Sequence, residues 1–253
     1  MAERVYERSP LILDSEEGVL SRVSKSLAVL GHAPIYSADV DELIALAGER
    51  PERAGALLLP AAHACDWWPV IRKDVALPLG LAPRSVLPVG ARVADSDAEA
   101  LHSDGLRWAL SEPFTPWELR FAVGMVLSAS DPNELRLETR VPCAIRVEVE
   151  SQSRSTPGQL TDLSTTGAFI ELAHPLPAGT LIVVRGALSG RPVSLHARVA
   201  WRSGPDSPSW RDCGMGIQFA RVELATLDLM RQQMVRSIDR FRIRTRSISE
   251  RQA

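Results

Sequence analysis

Lysine is nearly missing from this chain. Lys25 and Lys73 are the only two, and the remaining 27 of 29 basic residues are arginine. A GC-rich genome is enough to produce that bias, so composition alone gives it no role. The three cysteines, Cys65, Cys143 and Cys213, are too few and too scattered for a disulfide framework, and no CxxC or Cys/His pair has metal-ligand spacing; a reducing cytosol fits. No apolar run approaches the ~20 residues of a spanning helix. The longest, FAVGMVLSA, covers 121–129, and the charged opening MAERVYERSP is followed by no signal-type apolar core, so a soluble cytoplasmic protein without a membrane span is expected. A disordered composition is missing too, since 45% of residues are apolar and the net charge is −2. Finally, there is no GxSxG, HExxH or P-loop, and the five histidines at 32, 63, 102, 174 and 196 form no pattern with a nucleophile. The expectation is a protein that is not an enzyme and carries no metal or cofactor.

What is present falls into two halves of opposite charge. Residues 1–130 hold 12 Lys+Arg against 18 Asp+Glu, and residues 131–253 hold 17 against 13, so the halves are expected to meet different partners. From 10 to 127 short apolar runs alternate with amphipathic stretches: PLIL (10–13), a helix carrying Val19, Val23, Leu27 and Leu30 and closed by Gly31, PIYSA, a helix in DVDELIALAGE, ALLL (56–59), a helix near 66–75, SVLPVG (85–90), a helix near 95–104, RWAL (107–110) and a helix at 116–128. Alternating β and α elements predict a doubly wound parallel sheet. Trp67, Trp68 and Trp117 are candidates for core or interface, with two of the three expected in the core.

Beyond SASDPNE, which has a linker's composition, the apolar residues alternate instead. AIRVEVE (144–150), GQLTDLS (158–164), GAFIEL (167–172), TLIVVRGAL (180–188), VSLHARVAWR (193–202) and CGMGIQF (213–219) read as six short strands, the grammar of a small barrel or sandwich. Near 222 the helical period returns, with Leu227, Met230, Met234, Ile238 and Phe241 on one face; such a stripe packs a core or, as the alternative, seams a homodimer. The end, RFRIRTRSISERQA, is basic without periodicity. Seven arginines against Asp239 and Glu250 in 231–253 raise nucleic-acid binding, but no pattern of aromatics for base stacking accompanies them, Phe241 being a single residue on the apolar stripe, which argues against it.

Two motifs bear on chemistry. Arg136 and Arg140 stand four apart in NELRLETRVPCAI, and a planar guanidinium fork pairs bidentately with phosphate or with the O6/N7 edge of guanine. Two such forks on one turn or loop clamp a single ligand, or else solvate a linker beside Glu134 and Glu138. In DLSTTG, Asp162 and Ser164 flank Leu163, so a strand points both to one face and Leu163 into the core, while Gly167 is expected to supply a positive φ for the turn.

RLETRVP, TDLSTTGAFIEL, ARVAWR and GMGIQF together resemble the PilZ domain, the bacterial receptor module for cyclic di-GMP, over roughly 132–242. The resemblance implies a six-stranded β-barrel with a C-terminal helix. It also implies that Arg136 and Arg140 bind phosphates and guanine Hoogsteen edges, that Asp162 and Ser164 contact a guanine, that Gly167 shapes the turn, and that the arginine segment folds over the barrel mouth on binding. Many members carry a second arginine directly after the first; here that position is Leu137, a departure bearing on affinity and on one ligand molecule against a stacked pair.

The first half resembles a response-regulator receiver over 9–128, without its chemistry. Asp14 stands where the acidic pair begins, but Pro60 takes the phosphoacceptor position, Gly90 the Thr/Ser position and Glu112 the lysine before Pro-Phe. The expected organisation is a pseudo-receiver at 9–128 that contacts a protein partner, a linker at 129–135, a PilZ domain at 136–242 and a basic tail at 243–253. The competing reading keeps the barrel as an adaptor that acts by protein contact without nucleotide.

Overall fold

The computed structural model describes residues 8–15, 17–49, 51–128, 140–152, 154–204 and 213–243. Two compact units emerge: one built from Met1–Asp131 together with Phe241–Ala253, the other from Pro132–Arg240. Among the described residues no helix is long and apolar enough to cross a membrane.

The first unit is a five-stranded parallel sheet with helices between the strands. Its strands are β1 (Ser9–Leu13), β2 (Ile35–Ser37), β3 (Ala54–Pro60), β4 (Val86–Gly90) and β5 (Leu110–Ser111), in the order β2-β1-β3-β4-β5. That order belongs to the doubly wound, flavodoxin-like arrangement that receivers share. The helices are α1 (Ser21–Val29), α2 (Val40–Gly48), α3 (Ala64–Ile71), α4 (Asp95–Ser103) and α5 (Pro116–Ser128). Asp39 caps α2 by accepting from the Glu42 amide at 2.8 Å. The strands are buried nearly throughout, as parallel strands covered by helices must be.

Some expectations shift by a residue or more. Helix α1 starts only at Ser21, so Val19 is 44% exposed and Leu20 takes the buried place beside Val23 and Leu27. Of the three tryptophans only Trp68 is fully buried; Trp67 is half-buried and stacks on His63 at 5.0 Å, and Trp117 is half-buried. RWAL yields a strand only from Leu110. Residues 107–109 pair elsewhere: the Ala109 amide donates to the Phe241 carbonyl (2.8 Å), the Ile243 amide donates to the Arg107 carbonyl (3.0 Å), and Trp108 forms an antiparallel bridge with Arg242. Ile243, assigned by composition to a basic tail, is buried in the core of this unit.

Of the residues at the receiver's chemical positions, Asp14 does structural work. Asp14 is fully buried and accepts from the amides of Ser15 and Leu20 and from the Tyr36 hydroxyl, each at 2.8 Å, which fastens the β1–α1 loop to β2. Burial, and then the bond to Asp14, pushes the Tyr36 phenol above its usual range. Pro60 and Gly90 end β3 and β4, and Glu112 lies exposed after β5. Among the described residues no group of three or more His, Cys, Asp or Glu is placed to hold a metal ion. Asp14→Ala strands three buried or half-buried donors and is expected to destabilise this unit by roughly 3 kcal/mol, read by urea unfolding. An unchanged midpoint would rule out the fastening role.

The second unit is a closed antiparallel barrel of six strands in the order β10-β11-β8-β7-β6-β9. Its strands are β6 (Val141–Ser151), β7 (Arg154–Leu163), β8 (Gly167–Glu171), β9 (Leu181–Leu188), β10 (Arg191–Ser203) and β11 (Gly214–Phe219). Alternation sends Val147, Val149, Ile182, Val184, Leu195, Ala197 and Val199 inward. Helix α6 (Leu224–Ile238) packs against β6 and β9 and buries Met230, Met234 and Ile238. The expected stripe ends there, because Phe241 lies in a following 3-10 turn (Asp239–Phe241) and packs its ring on Phe121 of α5 at 5.1 Å.

Candidate functional site

The site is assembled where β6 and β7 meet. Arg140 is the residue immediately before β6, and Pro142 lies opposite Asp162 of β7, so the barrel's own register carries an arginine to a carboxylate 22 residues on. The Arg140 Nη1 donates to Asp162 Oδ1 at 3.0 Å, with the arginine side chain 40% exposed and the carboxylate 12%. The same oxygen accepts from the Phe169 amide at 2.9 Å. Asp162 is therefore fixed by the sheet and in turn fixes the guanidinium. The other motif arginine, Arg136, and its neighbour Leu137 lie outside the described residues.

Ser164 is placed differently from its alternation pattern. The ladder shifts register between Leu160 and Asp162, and Thr161 through Ser164 are all buried. The Ser164 hydroxyl donates to the Gly167 carbonyl (3.0 Å) and accepts from the amides of Gly167 (3.1 Å) and Thr166 (3.3 Å), while the Ser164 amide also donates to the Gly167 carbonyl (2.9 Å). This one side chain closes the DLSTTG turn. Gly167 is required for a reason other than the one its sequence context suggests: it is absent from the glycines with positive φ. It lies opposite Gln218 in the antiparallel β8–β11 pair, and a Cβ there would sit 2.4 Å from the Ile217 carbonyl oxygen and 3.5 Å from the Arg140 Nη2. The constraint is close approach of two strands.

A residue that pattern reading misses completes the surroundings. Trp201 follows Val199 on β10, where strict alternation points it inward; the β10–β11 register shifts between them and turns the indole out, leaving it 37% exposed. It stacks on Phe169 (5.3 Å, interplanar 27°) and lies across Gly216, where a Cβ would be 2.3 Å from the indole nitrogen. The signal in the sequence was the pair ARVAWR and GMGIQF: a tryptophan opposite a glycine. Arg140, Thr166, Trp201, Gly216, Ile217 and Gln218 line a cleft of about 230 Å³. Sites that enclose a whole drug-sized ligand run to ~300–1,000 Å³, so this cleft is too small to enclose such a ligand whole. A larger cleft of about 870 Å³, bordered by Arg146, Gly158, Gly186 and Cys213, lies on the same barrel but contains none of the motif residues.

Chemically the site offers a half-exposed guanidinium held by a carboxylate, an exposed aromatic face and a glycine-floored cleft. Cys143, near Asp162, is disqualified as a nucleophile: burial and then the Asp162 charge push its thiol up to about 12, and its Sγ lies 3.6 Å from the Leu160 carbonyl. At pH 8 only about one Cys143 in ten thousand is thiolate. Cys143 is therefore expected to stay unmodified when the folded protein is alkylated at that pH and to react once unfolded, as peptide mapping would report.

A closed six-stranded barrel with a following helix, bearing Arg140 beside the DxSxxG turn, is the architecture to be compared with known families. Residues 134–239 match the family model of the PilZ domain, which makes that segment a PilZ domain. No curated protein matches the chain. Among solved structures it is similar to the PilZ domain of CeSA from a cellulose-synthesising bacterium (24% identity, 39% of this chain and 96% of that one, TM-score 0.32). It is similar also to the PilZ domain of YcgR from Escherichia coli, solved with c-di-GMP (13% identity, 42% and 94%, TM-score 0.35). A third likeness is to a candidate response regulator from Chloroflexus aurantiacus (19% identity, 48% and 98%, TM-score 0.37).

Proposed function

We propose that the chain is a cytoplasmic receptor for cyclic di-GMP, with Arg136, Arg140, Asp162, Ser164 and Gly167 as its binding residues and the unit around 9–128 as the part that addresses a protein partner. The observation that supports this is the Arg140–Asp162 contact at 3.0 Å, which joins one arginine of the first motif to the aspartate of the second near an exposed tryptophan. The ligand's chemistry complements each part. Phosphate oxygens and the guanine O6/N7 edge accept from the arginine forks. With Asp162 Oδ1 engaged by Arg140 and Phe169, its second oxygen accepts from guanine N–H groups. Ser164 and Gly167 act by holding the turn that sets Asp162, and Trp201 gives a base a flat face to stack on, worth ~1–3 kcal/mol per base.

Calorimetry of the full-length chain with cyclic di-GMP tests the reading. Saturable heat is expected, and its stoichiometry distinguishes one bound molecule from a stacked pair, a point on which Leu137 bears. Absence of heat and of any thermal shift at high ligand excess would overturn it in favour of the nucleotide-independent adaptor.

A further inference from the structure

The unit at the N-terminal end is completed by residues from the far end of the chain. Ile238 ends α6, and only Asp239 and Arg240 separate it from Phe241, where the chain rejoins the first unit. Phe241 and Ile243 are 4% and 6% exposed with exposed Arg242 between them, an apolar-x-apolar segment joined to residues 107–109 by an isolated antiparallel bridge just before β5. Two backbone hydrogen bonds, at 2.8 and 3.0 Å, and the Phe241–Phe121 ring contact hold it. That is a small attachment, of the kind that opens locally at far lower cost than global unfolding.

The other end of this strap leads back to the anion site through packed elements. Helix α6 rests on β6 and β9, and Gln233 Oε1 accepts from the Ser189 amide (3.0 Å) in the turn between β9 and β10. Strand β6 starts one residue after Arg140. We propose that residues 239–243 are a regulatory strap: ligand at Arg140 and Asp162 steadies β6, β6 steadies α6, and α6 tightens the pairing of 241–243 with 107–109 at the end of the sheet beside α5. This rests on the nucleotide reading of the Arg140 site and specifies how occupancy there is transmitted along the chain. Free energy passes between two sites only where a ligand has different affinity for two states of a connecting element, and the strap's open and closed states are those states.

Amide hydrogen exchange of the full-length protein, with and without saturating cyclic di-GMP, tests the strap, with binding followed by calorimetry. In the parent, peptides covering 106–111 and 239–243 are expected to exchange ~3-fold or more slowly with ligand. In Phe241→Ala the barrel is still expected to be protected by ligand while 106–111 no longer responds. A ligand-free arm uses Met234→Ala, which loosens the seat of α6 and is expected to speed exchange at 106–111 by a similar factor. Protection confined to the barrel despite binding, an equal response in Phe241→Ala, or unchanged exchange at 106–111 in Met234→Ala each overturn the strap. Missing heat with cyclic di-GMP overturns the nucleotide reading alone, and the Met234→Ala arm then decides the strap by itself.

Discussion

The Arg136→Ala/Arg140→Ala chain is expected to lose cyclic di-GMP affinity by roughly 100- to 10,000-fold, since each guanidinium supplies a charge-assisted contact of about 1.5–3 kcal/mol. Its melting temperature is expected to stay within a few degrees of the parent. The Arg140–Asp162 pair is partly exposed, and such pairs contribute only ~0–1 kcal/mol. Asp162 also keeps its Phe169 amide donor when Arg140 is removed. The combination matters: a variant that binds like the parent removes the arginines from the site, and one that binds poorly because it has unfolded says nothing of recognition, which parallel melts detect.

Gly167→Ala is expected to do the opposite and destabilise the barrel. A methyl 2.4 Å from the Ile217 carbonyl forces β8 away from β11. Overpacking on backbone, which cannot swing aside as a side-chain tip can, is expected to cost about 3 kcal/mol, or on the order of 10 °C in melting temperature for a unit of this size. Gly204→Ala is the control, because nothing lies within 4 Å of its added Cβ and its φ is not positive; it is expected to change stability by less than ~0.5 kcal/mol. A third variant separates close approach from backbone conformation. If Gly167 were needed for positive φ, Asn would be tolerated better than Ala. With a strand in the way, the larger Asn is expected to be worse. Urea unfolding followed by tryptophan emission reads all three, and Asn outperforming Ala would revive the φ explanation.

Period alone made most of the architecture legible. Continuous apolar runs such as ALLL marked the buried parallel strands, and inward Val147, Val149, Ile182 and Val184 marked the barrel. What period could not supply is anything decided by a partner distant in sequence. The need for glycine at 167 is set by Ile217, fifty residues later, and a DxSxxG turn read locally suggests a positive φ that the backbone does not adopt. Trp201 was hidden because a register shift reverses the face that counting by twos assigns. Phe241 fell on the helical count by coincidence of spacing, whereas its place is set by Phe121 and Ala109. Ser164 was assigned by alternation to the same face as Asp162, yet its hydroxyl is taken up inside the turn.

The pairing of residues 241–243 with 107–109 also bears on the order in which the molecule can be made. A ribosome delivers the sheet of the first unit early, and an N-terminal domain ordinarily folds as soon as it emerges. Here the nascent sheet has Trp108 and the backbone groups of Arg107 and Ala109 waiting for a segment that more than 120 further residues precede. The first unit is thus closed only after the whole of the second, Pro132–Arg240, has been made. Truncation between the start of α6 and Phe241 cuts the helix or its 3-10 turn short and removes the segment that pairs with residues 107–109.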